Sequence, residues 1–252
     1  MKCYVLLSLL AIAKEINMEE KINNRIAFFG DSLTEGIPGI SYLNLLKEKL
    51  PNKTLLNYGR GGDTIISLYR RIQKLRTEES YNIVFLWIGT NDIFVNVSAA
   101  YSKIKYLLRQ PWARNDLEFE QYYQRILEKI CTLANKVITV SPLFIGEDPS
   151  NIWNKKLRIL SKLINELSNK RENVFYIDLH EEIRLDKQKN NYIARNAFRV
   201  LLDALFLRSK DQVDKKSSKR GLSYTLDGVH LNSKGAQIVA DIFYKQIIMD
   251  KY

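Results

Sequence analysis

The stretch Arg25-Ile26-Ala27-Phe28-Phe29-Gly30-Asp31-Ser32-Leu33-Thr34-Glu35-Gly36 joins a short apolar run to a polar turn and the start of a helical pattern. An apolar run that ends in glycine predicts a buried strand followed by a sharp turn. Ser32 then stands in the first turn of a helix, where backbone N–H groups lack intrahelical partners. A hydroxyl beside free N–H groups suits a nucleophile with an oxyanion site. Taken alone, the same stretch also fits a plain turn whose serine caps a helix.

Three further segments follow in order along the chain. Asn57-Tyr58-Gly59-Arg60-Gly61-Gly62-Asp63-Thr64 comes after the short apolar run 54–56, and Gly89-Thr90-Asn91-Asp92 closes the apolar run 83–88. Asp227-Gly228-Val229-His230-Leu231-Asn232 lies near the C-terminus. Loops after successive parallel strands meet at one edge of a sheet. The joint order of the four segments therefore favours a functional site over a set of unrelated turns.

These four segments resemble blocks I, II, III and V of the SGNH/GDSL hydrolase family, in which a Ser block, a Gly block and an Asn block precede a terminal Asp-x-x-His block. The resemblance implies a GDSL-type esterase, lipase or acylhydrolase with a flavodoxin-like three-layer α/β/α sandwich. It also implies an oxyanion hole made by the backbone N–H groups of Ser32 and Gly62 and the side-chain amide of Asn91.

The chemistry of the triad also follows from the residues themselves. Serine becomes nucleophilic when a neighbouring base takes its proton, and histidine titrates near the working pH. The chain has only two histidines. Asp227 precedes His230 by three residues, which lets the carboxylate reach the imidazole Nδ1–H. His180 follows Asp178 by two residues at a strand end, where a structural or solvent-facing role is favoured. The predicted catalytic residues are Ser32, Asp227 and His230.

Other site motifs are absent from the sequence. No G-x-S-x-G elbow occurs, and Thr64 stands where a dinucleotide fingerprint beginning at Gly59 would need glycine. The two cysteines and two histidines show no metal-ligand spacing. We therefore expect neither a cofactor nor a metal.

Five apolar runs, at about 25–29, 54–57, 82–88, 136–140 and 173–179, predict strands. They lack polar alternation, as expected of parallel strands covered on both faces. Helical patterns lie between them, so the sequence predicts an α/β fold with a five-stranded parallel sheet and a site at the carboxyl ends of its strands. Residues 23–252 are expected to form one domain. Three apolar stripes predict core-facing helices: Phe119, Tyr123, Ile126, Leu127 and Ile130; Trp153, Leu157, Leu160, Ile164 and Leu167; and Ala236, Val239, Ala240, Phe243 and Ile247.

Residues 181–222 form a connection too long for a plain loop. A stripe within it predicts a helix, and the segment is expected to lie beside the acyl site as one wall or a lid. Packing of this stripe on the sheet is favoured over contact with an acyl chain. The run 208–220 is interpreted as a solvated charged loop, with its basic end near the mouth of the site. The stripe consists of Ile193, Ala197, Val200, Leu201 and Leu205.

The net charge is +11, spread over the whole chain and accompanied by no nucleic-acid motif. We therefore expect no nucleic-acid partner, and instead a small-molecule, lipid or carbohydrate ester as substrate; the oligomeric state is left open. Residues 1–22 are interpreted as an N-terminal extension, which is a cleaved signal, a dispensable segment or a helix docked on the domain. Its apolar part, 4–13, is too short to span a bilayer, so no stable membrane insertion is expected. A cytoplasmic location is favoured, with secretion the alternative if 1–13 act as a signal.

Two other functions fit parts of the pattern. An acyltransferase would use the same acyl-enzyme and differ only in the acceptor. A non-catalytic flavodoxin-like module could bind an anion at the helix that starts at Ser32. The Asp227 and His230 pair argues against the second alternative, because anion binding needs neither residue.

Overall fold

The computed structural model describes residues 22, 24–76, 80–185, 192–207 and 209–249. Its strands form one all-parallel sheet in the order β2-β1-β3-β4-β5. The predicted strands are confirmed with small changes at their ends. The fifth is shorter than expected, because the Asp178 side chain accepts the backbone N–H of His180 and starts a helical turn there. The strands are β1 (Arg25–Gly30), β2 (Thr54–Gly59), β3 (Tyr81–Trp87), β4 (Ala134–Val140) and β5 (Val174–Ile177).

Helices follow each strand, and most of them begin at a side chain that caps their first turn. Asp31, for example, accepts the N–H of Leu33, and Thr64 accepts that of Ser67. In the described part of the chain the helices are α1 (Ser32–Glu35), α2 (Tyr42–Lys49), α3 (Ile65–Ile72), α4 (Thr90–Phe94), α5 (Ala99–Leu107), α6 (Asp116–Cys131), α7 (Ile152–Ser168), α8 (Leu179–Glu182), α9 (Ala197–Phe206), α10 (Lys210–Lys219) and α11 (Ser233–Ile248).

The sheet separates two hydrophobic cores. On one face, the rings of Phe28 and Phe85 stack at 4.8 Å, and Phe243 of α11 lies 4.6 Å from Phe85; α2 packs on this face too. On the other face, buried residues of α3, α6 and α7 pack against alternate residues of the same strands. The predicted three-layer α/β/α fold is therefore confirmed. The predicted stripes of α6 and α11 are buried, as is that of α7 apart from the partly buried Trp153.

The long connection differs from the expectation in two ways. The helix predicted within it, α9, begins at Ala197, so Ile193 precedes the helix and is not part of it. Ile193 packs against the core on the side of the sheet that α3, α6 and α7 cover. The run expected to be a solvated loop forms α10, because Ser209 and Gln212 make a reciprocal capping box at its start. Two cations of this run form ion pairs within the protein: Lys216 and Arg220 each lie 2.8 Å from a carboxylate oxygen of the buried Asp203.

Strand order determines where the sequence motifs meet. Since β1 lies between β2 and β3, the loops after these three strands lie side by side at one edge of the sheet. The segments that begin at Ser32, Gly61 and Gly89 occupy these loops. Apart from residue 22, the predicted N-terminal extension lies outside the described residues. Within the residues that are described, no helix combines the length and apolarity needed to cross a bilayer.

Candidate active site

Ser32, His230 and Asp227 form one hydrogen-bonded chain at this edge. Ser32 Oγ lies 3.0 Å from His230 Nε2, and His230 Nδ1 lies 2.8 Å from Asp227 Oδ2. An ionised carboxylate can only accept, so Nδ1 carries the proton and Nε2 is left to accept from the serine hydroxyl. The three residues predicted from distant parts of the sequence are brought together with the polarity that proton transfer from serine to histidine requires.

The electrostatics of the pair Asp227 and His230 keep the carboxylate ionised. Burial alone would raise the pKa of Asp227, but His230 and the backbone N–H groups that Asp227 accepts lower it below its ordinary value. Burial alone would lower the pKa of His230, but the charge and hydrogen bond of Asp227 outweigh it, and the pKa is raised. The histidine is therefore a stronger base than free imidazole.

The loop that carries Asp227 and His230 is fastened by Glu147, a residue the sequence reasoning missed. The Glu147 carboxylate is 5% exposed and accepts the backbone N–H groups of Ser223, Tyr224 and Thr225 at 2.6 to 2.8 Å. It also accepts the Thr225 hydroxyl at 2.8 Å. Charge-assisted bonds of this kind are strong and directional. Glu147 therefore positions the chain two residues before Asp227, although nothing in its local sequence signals this role.

Two backbone N–H groups stand free beside the serine. In the described part of the chain, neither the N–H of Ser32 nor that of Gly62 has a hydrogen-bond acceptor. Gly62 has a φ of 75°, a left-handed conformation that favours glycine, and a Cβ there would lie 3.0 Å from Lys105 Nζ. Both groups are therefore available to an incoming oxygen.

Asn91 lies beside Ser32 and Gly62, but its side-chain amide already donates two hydrogen bonds within the protein. Its Nδ2 donates to Asp31 Oδ2 at 3.1 Å and to the backbone carbonyl of Asp63 at 3.0 Å. Its Oδ1 accepts from the Tyr101 hydroxyl at 2.8 Å, which fixes which end of the amide faces Asp31. Burial raises the pKa of Asp31 to about 6, although the N–H of Leu33 opposes this. To serve an oxyanion, Asn91 has to give up or share one of these two donated bonds.

Lys105 is a second residue near the serine that the sequence did not reveal. It is 2% exposed, and its Nζ donates to the Gly62 carbonyl and, at 2.9 Å, to Gln110 Oε1. Burial lowers the pKa of Lys105, and nearby carboxylates, Asp63 first among them, act in the opposite direction. A lysine buried beside the predicted oxyanion glycine is costly unless it is paired. Nothing in the sequence near Lys105 indicates that its side chain points inward.

A cavity of about 330 Å³ surrounds the serine. Ile37 and Leu201 at its edge are each 54% exposed, so the cavity opens to solvent. The long connection forms one wall of it, as predicted. The expectation that its stripe only packs on the sheet is wrong for Val200 and Leu201, which line the cavity. Its lining includes Ser32, Ile37, Gly62, Asn91, Phe94, Tyr101, Ile104, Lys105, Leu108, Ala194, Val200, Leu201, Ala204 and His230.

His180 lies elsewhere. It lines a different cavity beside Arg158 and Arg184, and its Nε2 is buried with no hydrogen-bond partner among the described residues. Asp178 caps the backbone at His180. Among the described residues, His230 Nε2 is hydrogen-bonded to a serine hydroxyl and His180 Nε2 is not. Within the described ranges, no group of three or more His, Cys, Asp or Glu side chains is placed to hold a metal ion.

Residues 28–238 match the GDSL-like Lipase/Acylhydrolase family. This match covers most of the chain, so the protein belongs to that family, and the expected class of activity, hydrolysis of a carboxylic ester, is confirmed. No curated protein sequence matches the chain significantly.

Solved structures of similar fold include the acetyl xylan esterase AlAXEase, which is 24% identical with a TM-score of 0.60 over 89% of this chain and 100% of that one. The acetylxylan esterase Axe2 from Geobacillus stearothermophilus is 17% identical with a TM-score of 0.59 over 89% of this chain and 94% of that one. Further structures of Axe2 are described as catalytic mutants in which a serine, an aspartate or a histidine is replaced by alanine. At these identities the likeness shows the fold.

Proposed function

We propose that the protein hydrolyses carboxylic esters through a covalent acyl-enzyme on Ser32. His230 Nε2 takes the hydroxyl proton as the serine oxygen attacks the ester carbonyl, and it then gives this proton to the departing alcohol. Asp227 holds the imidazole in the required tautomer and stabilises the imidazolium. A water molecule, deprotonated by His230, attacks the acyl-enzyme, releases the carboxylic acid and restores Ser32.

The observation that carries this proposal is the unbroken contact from Ser32 Oγ through His230 to Asp227, at 3.0 and 2.8 Å. A module that only binds anions would need the helix end at Ser32 but neither of the other two residues. The same three residue types are those replaced in the Axe2 variants described as catalytic mutants. Acyl transfer would require an acceptor alcohol in place of water, and no feature of the cavity favours one.

Hydrogen-bond donors that line the cavity of Ser32 stabilise the tetrahedral intermediate. The free N–H groups of Ser32 and Gly62 bind the oxyanion, and Asn91 joins them by turning one amide N–H from a protein acceptor toward the new negative charge. Catalytic hydrogen bonds are often incomplete before substrate arrives and tighten in the transition state. Lys105, which holds the Gly62 carbonyl, and Tyr101, which holds the Asn91 amide, act as positioning residues.

A panel of 4-nitrophenyl esters of increasing acyl length tests the proposal and the substrate size. A cavity of about 330 Å³ is at the small end of ligand sites. We expect turnover of the acetate and butyrate and little of the palmitate, with the free carboxylic acid as the product in water. No turnover of any ester would contradict the proposed function, and preference for the palmitate would contradict the assignment of this cavity to the acyl group.

The raised pKa of His230 predicts the acid limb of the pH profile. The reaction needs neutral imidazole, so kcat/KM is expected to fall as pH drops through the pKa of His230, above the ordinary histidine value of about 6.5. Asp227→Asn removes the charge that raises this pKa. The variant is expected to shift the limb to lower pH and to lose on the order of 10⁴ in kcat.

Asp31, with a pKa near 6, titrates in the same range and is the control for this measurement. The charge of Asp31 also raises the pKa of His230, but it ranks after that of Asp227, so Asp31→Asn is expected to shift the limb to lower pH by less than Asp227→Asn does. If the acid limb disappeared in Asp31→Asn and stayed in place in Asp227→Asn, it would report the titration of Asp31. The assignment of the limb to His230 would then be wrong.

Asn91→Ala tests the third oxyanion donor. We expect a loss on the order of 10²–10³ in kcat with little change in KM, because the interaction forms mainly in the transition state. Thermal melting of the variant checks that the loss of bonds to Asp31 and Tyr101 leaves the fold intact. A higher KM with unchanged kcat would show that Asn91 binds substrate and does not stabilise the oxyanion.

A further inference from the structure

A second cavity, of about 730 Å³, lies beside that of the serine and is strongly basic. Arg70 of α3, Lys105 of α5, and Arg109 and Arg114 of the segment that joins α5 to α6 all line it. In the described parts of the chain, no aspartate or glutamate lines this cavity. Four cations of three separate elements therefore face one space without a carboxylate among them.

The three arginines of this basic cavity have no carboxylate partner in the part of the chain that the structure describes. Neither Arg70, Arg109 nor Arg114 forms an ion pair through its guanidinium with any described residue. The nearby Glu118 accepts the backbone N–H of Arg114 at 2.8 Å instead. Arg109 has a φ of 52°, a conformation that is uncommon for a residue with a side chain. Such strain is kept where the surrounding structure holds it, often at binding sites.

The basic cavity is joined to the cavity of Ser32 by two shared residues. Lys105 and Gln110 line both spaces. Lys105 Nζ bonds both the Gly62 carbonyl and the Gln110 side chain. A molecule in the basic cavity thus lies one side chain away from the oxyanion glycine.

The chemistry of the lining indicates the ligand. Guanidinium groups bind carboxylate and phosphate oxygens through paired N–H donors. Trp112, half-buried in the same cavity, offers a flat apolar surface on which a sugar ring can stack. We propose that the basic cavity binds the anionic glycan part of the ester substrate, a carboxylate-bearing sugar chain whose acyl group enters the cavity of Ser32. This rests on the proposed function.

Nucleic acid and lipid fit this geometry less well. A nucleic acid would satisfy the arginines, but it carries phosphodiesters and offers no carboxylic ester to the adjacent serine. A lipid would have to place its acyl chains beside the charged groups of Arg70, Arg109 and Arg114, for which hydrocarbon offers no partner. Sugar hydroxyls carry acyl groups, and uronic acid residues place carboxylates in the same chain.

The first experiment compares kcat/KM for acetylated oligogalacturonides and for acetylated neutral xylo-oligosaccharides of equal length at low salt. In the triple variant Arg70→Gln, Arg109→Gln, Arg114→Gln, we expect about a 10- to 100-fold loss for the acidic substrate and less than about a twofold change for the neutral one. The matched control replaces three exposed lysines outside both cavities, Lys155, Lys162 and Lys170, by glutamine. It removes the same charge, and we expect it to affect neither substrate.

The second experiment measures binding without turnover. Calorimetry of the Ser32→Ala variant with unesterified hexagalacturonate is expected to show binding that the triple arginine change abolishes, whereas neutral xylohexaose does not bind.

Equal kcat/KM of the parent for the acidic and the neutral substrate, together with no binding of hexagalacturonate, would overturn this inference and leave the proposed function standing. Arginine-dependent binding without any ester hydrolysis would overturn the proposed function and not the glycan site. Tighter binding of single-stranded DNA or inorganic phosphate than of hexagalacturonate would contradict the glycan assignment.

Discussion

Replacing Ser32 by alanine is expected to abolish ester hydrolysis while the fold remains intact. Only the hydroxyl is lost, and its partner is His230 Nε2 rather than a core group. Removal of a serine nucleophile lowers kcat by about 10⁴–10⁶, to the level that oxyanion donors and binding sustain alone. Hydrolysis of 4-nitrophenyl acetate gives the rate, and thermal melting is expected to show a transition close to that of the parent.

Ser41→Ala is the matched control for this variant. Ser41 stands at the start of α2, close to the same motif, and its side chain forms no capping bond. We expect parental activity from it. Comparable activity in Ser32→Ala and Ser41→Ala would show that Ser32 is not the nucleophile.

The second large effect concerns the two histidines. His230→Ala is expected to lose about 10⁴ or more in kcat, because among the described residues His230 is the base that is hydrogen-bonded to Ser32 Oγ. His180→Ala is expected to keep most of the activity, because His180 lines another cavity and its Nε2 meets no described partner. Both variants are assayed at the pH optimum of the parent with the same ester.

The opposite ranking of the two variants would move the base to His180 and its orienting carboxylate to Asp178. Loss of folding in His180→Ala, seen as a lowered melting temperature, is separated from loss of catalysis by assaying well below that temperature. His230→Gln offers a second variant that keeps the size of the side chain but not its basicity.

The strands and the central residues of the site could be predicted because their signals are local. Each strand contains a short apolar run, and Ser32, Gly62 and Asn91 each follow one of the strands. A parallel sheet then brings these loops together without further information. Asp227 and His230 are three residues apart, so their contact also follows from short-range geometry.

The features of the site that could not be predicted depend on packing between elements that are distant in the sequence. Glu147 contacts residues 223–225, and Lys105 contacts Gly62; neither pairing leaves a trace in the nearby sequence. The burial of the Lys105 side chain could not be predicted, because a lysine on a helix usually lies on the face exposed to solvent. The prediction of a loop over 208–220 is wrong for a similar reason, because its many charges are typical of a solvated loop. The capping box at Ser209 and the ion pairs with the buried Asp203 stabilise a helix there.

Covalent labelling tests the central claim most directly. Parent protein treated with a fluorophosphonate is expected to gain one adduct by intact mass, and peptide mass spectrometry should place it on Ser32, with labelling lost in Ser32→Ala and strongly slowed in His230→Ala. The probe reacts with a serine activated by a base, so it reports the attacking atom without reference to a substrate. An adduct on another residue, or continued ester hydrolysis by a protein fully labelled elsewhere, would contradict the assignment of Ser32 as the nucleophile.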